Sequence, residues 1–308
     1  MIKKIIPSGN HGYIYKKPLK KDYKIGASPI VEEVLQENGC WDDYLPEVEK
    51  QKRYGGEDKM ACVTFSALNT LEILHKRKYN VEKNWSDRFT AKISGTTKTG
   101  NNLRNVAESI RKDGLVDEKD WGWEESWDEY YKEIPNEIKQ KGKDFLNNYL
   151  INYEWVPDVS PSSLVSALKY APLQVVVYWN AVDDDELYFA DRKHAGNHAV
   201  SLYGYIPGYC WKIFDHYDQY LKKARWDFKF DYAFKYSLTK IDMLTFYKKP
   251  NETAIYLLGK DGLYHPIVSE KIFFDLFGEW KQTGIDFKIE EKDIPKSKIS
   301  YLVGGIIV

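Results

Sequence analysis

The sequence predicts an α+β fold, in which a helical half is followed by an antiparallel β half and a cleft lies between them. Two observations carry this. Before about residue 170, apolar residues recur at helical spacing in three stretches, and from Leu173 onward they gather in short blocks rich in Val, Ile and aromatic residues. The first helix begins at Ala61 or Cys62, where Phe65, Leu68 and Leu71 fall in phase with Val63, Ala67 and Leu74. The second follows Asn101 and Asn102, with Leu103, Val106, Ala107 and Ile110 on one face and Gly114 as its stop. Ser160-Pro161-Ser162-Ser163 caps the third, which carries Leu164, Val165 and Leu168. The strands are Leu173–Trp179, Asn197–Ile206 and Tyr209–Asp215.

Outside this core the chain divides into three. Residues 1–50 read as an extended arm with one short helical turn near Ile30–Gln36, and 51–247 hold the main domain. Residues 248–308 form a small C-terminal α/β accessory module, set off by the linker Lys248-Lys249-Pro250-Asn251. Its cues are a hairpin from Ile255–Leu258 through the Asp261-Gly262 turn to Tyr264–Val268, then a helix over Glu270–Trp280. The module is a candidate binding unit for a further partner.

Composition narrows the function. The 308 residues carry 45 basic and 46 acidic side chains, a net charge of −1. That balance lacks the basic excess of a nucleic-acid binder. No stretch reaches the ~18 apolar residues of a membrane span, and Pro7 follows the basic start too soon for an export signal. Three cysteines, Cys40, Cys62 and Cys210, are a poor disulfide framework but leave room for one reactive thiol. A soluble protein of the cytoplasm or another reducing compartment is therefore expected. The 24 Tyr, 10 Trp and 13 Phe suit either a core or a cleft that grips an extended ligand.

The candidate chemistry starts at Cys62. A thiol becomes nucleophilic when its thiolate is stabilised, and a helix N-terminus beside an imidazolium does this. Pro207-Gly208 fits the centre of a type II turn. A two-residue loop there pairs Val200 with Asp215 and His198 with Tyr217. His198 and Asp215 then become diagonal neighbours on one face, roughly 7–8 Å apart along the backbone and within side-chain reach. A carboxylate in that place fixes the tautomer and orientation of an imidazole. A bulge near the turn would separate the two faces. His216 is expected on the opposite face, and His11, His75, His194 and His265 have no comparable partner, although His194 is close enough in sequence to remain an alternative.

With these residues placed, the chain resembles the papain family of cysteine peptidases over residues 50–235. Cys62-Val-Thr-Phe-Ser-Ala67 is similar to that family's Cys-Trp-Ala-Phe-Ser-Ala segment, and Asn197-His198-Ala199-Val200 matches its Asn-His-Ala-Val strand. Tyr203-Gly204-Tyr205 resembles its Gly-Tyr element, Trp211–Asp215 its Tyr-Trp-Leu-Val-Lys-Asn strand, and Gly114–Trp121 its Gly-Leu-x-x-Glu stretch. His198 and Asp215 follow Cys62 at about the family's spacing of roughly 130–150 residues. The resemblance implies a papain-like two-subdomain fold and hydrolysis of a peptide or protein substrate through a thioester. Cys62 would be the nucleophile, His198 the base and Asp215 the orienting group, with no metal or cofactor.

The departures matter as much. Asp215 stands where the family has asparagine, and Lys59 where it has a disulfide cysteine. Gly56 replaces the glutamine that serves as second oxyanion donor, so Gln51 is expected to take that role if Lys52–Lys59 loops out. The substrate ledge aligns with Thr99–Asn102, where Gly100 admits a peptide backbone and Asn101 borders it, while Asn197 lines the cleft beside His198. The acidic run Asp183–Glu186 reads as a solvated loop and not a calcium site. The family's long inhibitory prosegment has no recognisable counterpart before Cys62, so either the enzyme is made active or the arm lies over the cleft. Two other readings stay open: an amidase acting on cell-wall peptides or glutamine, and an inactive scaffold that binds a peptide or protein.

Overall fold

Helix α1 (Cys62–Tyr79) is buried on every side from Cys62 to His75, which makes it a central helix and not a surface one. Its C-terminus closes on Asn80, in the left-handed conformation, whose N–H bonds the Lys76 carbonyl. At the other end Ala61 offers no capping side chain, so the first-turn amides around Cys62 are left uncapped. The computed structural model describes residues 2–5, 11–19, 22–25, 30–31, 33–52, 56–179, 181–189, 194–217, 220–240, 246–251, 254–258, 263–267, 289–292, 294–295 and 306–307.

Helices α2 (Asp87–Ile93) and α3 (Leu103–Asp113) pack on α1, Tyr130 of α4 (Trp127–Tyr130) clusters with Phe65, α5 (Asn136–Leu146) packs on α3, and α6 (Pro161–Leu168) packs on the sheet. Asn102 caps α3 by accepting from the Asn105 amide, as its sequence implies. Ser160 does not cap α6 with its side chain; Asp158 instead accepts from the Ser160 and Ser163 hydroxyls, and Pro161 starts the helix.

The strands are β1 (Ile2–Ile5), β2 (Ile30–Val31), β3 (Tyr149–Val156), β4 (Leu173–Val177), β5 (Ala181–Asp183), β6 (Tyr188–Phe189), β7 (His198–Ile206), β8 (Cys210–Phe214), β9 (Leu221–Arg225) and β10 (Ala233–Lys240). All except β2 join one sheet in the order β1-β5-β6-β9-β8-β7-β4-β10-β3. Helix α1 packs on it toward the β3 edge, against β7, β4 and β10. Strand β3 belongs by sequence to the helical half, yet it pairs with β10 from Tyr149↔Lys240 to Val156↔Ala233. The helical turn expected near Ile30–Gln36 is not found among the described residues there, and Ile30–Val31 is a strand.

The β7–β8 hairpin differs from the expected one in two ways that cancel. Its loop has three residues, Pro207, Gly208 and Tyr209, and Ile206 pairs with Cys210. Further along, Tyr203 is an extra residue between the pairs Gly204↔Lys212 and Leu202↔Ile213. Beyond that bulge Ser201 pairs with Phe214, the register a two-residue turn alone would have produced. The bulged carbonyl is not orphaned, since Trp41 donates its amide to it at 2.8 Å.

At the C-terminal end, β11 (Phe246–Lys248), β12 (Ile255–Leu258), β13 (Tyr264–Ile267) and β14 (Ile289–Glu291) form a separate four-stranded sheet over Tyr247, Tyr256, Tyr264 and Ile294. Lys248 is thus part of a strand, and Lys249-Pro250-Asn251 is the turn into β12 and not a linker. The Asp261-Gly262 turn and the Glu270–Trp280 helix lie outside the described residues. Strand β15 (Ile306–Ile307) pairs in parallel with β2. Among the described residues, no helix is long and apolar enough to cross a membrane.

Lys59 is buried at the foot of α1 and works as a tether. Its ammonium donates to the Glu125 carbonyl and lies 5.2 and 5.4 Å from the Trp123 and Tyr130 ring centres, while the Tyr131 hydroxyl donates to the Lys59 carbonyl at 2.6 Å. Lys59→Ala removes a buried stem and takes the ammonium donor from the Glu125 carbonyl, so a loss of about 2–4 kcal/mol is expected. A urea melt should show a lower midpoint at unchanged slope; an unmoved midpoint would contradict the tether.

Candidate active site

Burying a carboxylate costs heavily unless its lone pairs are met by donors. Asp215, just past the end of β8, is buried and fully engaged. Its Oδ1 accepts from His198 Nε2 at 2.8 Å and from the His216 amide at 2.7 Å, and its Oδ2 accepts from Lys222 Nζ at 2.6 Å. Burial by itself pushes the carboxyl up; His198 and Lys222 outweigh it and hold Asp215 well below the usual carboxylate range. His198 is the first residue of β7 and is also buried. With Asp215 ionised, Nε2 carries the donated proton and the neutral ring keeps its lone pair on Nδ1. Among the described residues, Nδ1 has no hydrogen-bond partner.

The N-terminus of α1 is pinned to the sheet beneath this pair. Gln174 on β4 donates to the Val63 carbonyl at 2.7 Å and to the Ser66 hydroxyl at 2.8 Å, and is itself held by the Tyr236 hydroxyl at 2.8 Å. Ser201 on β7 donates to the Ser66 carbonyl at 2.9 Å. These bonds bring Cys62 against β7, where the Ala199 amide, one residue past His198, is a donor toward the sulfur. Burial pushes the Cys62 thiol up, and the Ala199 and Val63 amides only partly oppose it.

Gln51 reaches the same place. The Lys59 amide bonds the Gln51 carbonyl at 3.1 Å, which holds these two residues side by side. The Gln51 side chain is buried, and its amide nitrogen donates to Asp58 at 3.0 Å, to the His11 carbonyl at 3.4 Å and to the Tyr217 hydroxyl, which in turn donates to Asp58. Its donors are therefore occupied here and do not face an open hole.

Two histidines stand otherwise than expected. His216 is not turned away from His198: β8 ends at Phe214, strand alternation ends with it, and the buried His216 ring lies 4.9 Å from that of His198 and 5.3 Å from Phe65. His11 does have a place in the site, edge-on to His198 at 5.2 Å and to Tyr217 at 5.3 Å. Burial, with the neighbouring His198, pushes His11 down to about 4. His194 stacks on Tyr178 at 4.8 Å. His198, Asp215 and His216 hold ligand atoms within 4.8 Å of one another, but both Asp215 oxygens are already engaged, Oδ1 by His198 and Oδ2 by Lys222.

His11 comes from the N-terminal arm, which passes between two segments of backbone. On one side the His11 amide donates to the Asn197 carbonyl at 3.3 Å. On the other, the Asn101 amide donates to the Gly12 carbonyl at 2.8 Å, and the Ile14 amide to the Asn101 carbonyl at 2.7 Å. Tyr13 and Asn101 form a parallel bridge. Gly100 has φ +103° and packs so closely that a Cβ there would lie 2.0 Å from the Gly12 oxygen. Asn101 contributes only its backbone, because its side chain is bound to Ser94 and Thr96.

Sequence comparison finds no matching family profile and no matching curated protein. Among solved structures, digestive procathepsin L 3 of the Tenebrio molitor larval midgut superposes with a TM-score of 0.54 at 15% identity, over 74% of this chain and 76% of that one. The fold is papain-like. The clostridial cysteine protease Cwp84 after propeptide cleavage superposes at 0.50 with 14% identity, over 64% of this chain. This chain spans 56% of that protein's length. Of the residues singled out from the sequence, His198 and Asp215 are in direct contact, Cys62 lies by the Ala199 amide, Gln51 bonds the His11 carbonyl, and Asn101 and Asn197 bond the arm through their backbones. The sequence reading missed His11 and Lys222. The only signal for His11 was the adjoining Gly12, whose φ is +100° and whose Cβ would lie 2.2 Å from the Met60 carbonyl.

Gly100→Ala should dislodge the arm. A Cβ in the left-handed region that also meets the Gly12 carbonyl costs about 1–3 kcal/mol. Iodoacetamide should then modify Cys62 roughly tenfold faster or more, read by mass spectrometry; an unchanged rate would mean that the arm does not cover the thiol.

Proposed function

We propose that the protein is a cysteine peptidase in a closed arrangement, with the arm laid along its substrate cleft. The observation that supports this most is the buried 2.8 Å contact between His198 and Asp215, facing the uncapped N-terminus of α1 where Cys62 sits. With the arm displaced, the Cys62 thiolate attacks the carbon of a peptide bond. The His198 imidazolium protonates the departing amine, and the neutral ring then takes a proton from the water that hydrolyses the thioester. Asp215 keeps the ring oriented throughout. The Cys62 amide supplies one oxyanion donor, and Gln51 the second once its nitrogen leaves the His11 carbonyl. The walls made by Asn101 and by the Asn197 carbonyl would bind a substrate strand through the backbone bonds that the arm now makes.

One observation favours a different reading: Cys62, His198 and Asp215 are all buried, as in a silent scaffold. Limited proteolysis of the arm separates the two. An enzyme gains both peptide cleavage and iodoacetamide labelling at Cys62 when the arm is cut, whereas a scaffold gains neither. In the cut protein, Cys62→Ala should lower kcat by roughly four orders of magnitude or more while leaving peptide affinity intact. Cleavage that survives the substitution would reject the nucleophile.

A further inference from the structure

Strand β9 reads the wrong way round. Leu221 is 61% exposed and Lys222 only 6%, and the alternation continues with Lys223 and Arg225 outside and Ala224 inside. An ammonium on the inner face of a strand is stable only with a partner that offsets its loss of water, and that partner is Asp215 Oδ2 at 2.6 Å. The Tyr188 ring lies 5.9 Å away on a further side. The ladder pair Ile213↔Lys222 fixes the lysine backbone next to the strand that ends at Asp215.

We propose that Lys222 is a positioning residue of this site: it holds one oxygen of Asp215 and cancels its charge, so that the ion pair offers His198 the orienting but neutral partner that an amide would offer. This rests on the peptidase reading given above. The reasoning is electrostatic. A lone carboxylate 2.8 Å from the ring favours the imidazolium strongly in a buried site. An imidazolium bound too firmly is a weak acid toward a leaving amine. An ammonium on the far oxygen reduces that field at the ring while keeping the near oxygen in place. Asp215 in place of the family's asparagine and a buried Lys222 are, on this view, two halves of one substitution.

The other groups facing His198 do not supply this function. His11 from the arm and His216 from the turn after β8 are both driven toward the neutral form by burial. Tyr217 is pushed up and stays a neutral hydroxyl; Cys62 on α1 is the nucleophile; and Asp58 is engaged by Tyr217 and Gln51. Lys222 on β9 is the cation that touches the carboxylate.

The test uses the full chain, with ring nitrogens of histidine labelled and His198 followed by NMR across pH. In Lys222→Met, loss of the ammonium should move the His198 midpoint upward by about one pH unit, a tenfold change in proton binding. After removal of the arm, the alkaline limb of kcat/KM should move the same way. Lys222→Arg should restore the native midpoint, and Lys222→Gln, which keeps a donor without charge and serves if the methionine variant does not fold, should move it upward. Asp215→Asn takes away the carboxylate that Lys222 meets at 2.6 Å, so the double variant with Lys222→Met should be the more stable of the two. A folded Met or Gln variant with an unmoved midpoint, or an arginine variant that behaves like methionine, would overturn the assignment. A midpoint that moves in a chain unable to cleave any peptide, with or without its arm, would reject the peptidase reading and leave the role of Lys222 standing.

Discussion

A carboxylate withdrawn from water at Asp215 is the constraint around which this site is organised. It sits where β8 ends, and its two oxygens draw together groups from three parts of the chain: the ring of His198 at the start of β7, the backbone at His216, and the ammonium of Lys222 on β9. Each donor meets a need that burial creates, and each loses its own hydration in doing so. The geometry is consequently narrow. The imidazole can be held at 2.8 Å only if the hairpin register is right, and the three-residue loop and the Tyr203 bulge together deliver that register.

The arm imposes the second layer of order. The arm passes between Asn101 and Asn197 and bonds both through their backbones, and the absence of a side chain at Gly100 and Gly12 lets backbones approach within contact distance. The thiol on the facing helix is buried and pushed toward its protonated form.

The parts of the fold that could be read from sequence were those in which hydropathy and position agree. Helices α1, α3 and α6, strands β4, β7 and β8, and the pairing of Ile255–Leu258 with Tyr264–Ile267 all obey ordinary periodicity. Strand β3 does not announce itself, because Asn152 and Glu154 are buried among its apolar residues and the charge of Glu154 is met by Lys235 on β10, far away in sequence. Strand β9 conceals itself more thoroughly by placing leucine outside and lysine inside. The His198–Asp215 contact was foreseen on a two-residue turn that does not exist; two opposite errors of one residue compensate. The placing of His216 failed because it assumed that β8 continues, and His11 was missed because contacts made by an arm without periodicity leave no local trace.

Lys59 carries a last implication. Where the related peptidases fasten the foot of this helix with a cross-link between sulfurs, here the fastening is an ammonium lodged on a carbonyl between two aromatic rings. Reductants such as glutathione have nothing to cut there, and oxidants nothing to form. A thiol in the same region can therefore stay reduced in surroundings that would open a disulfide at this position.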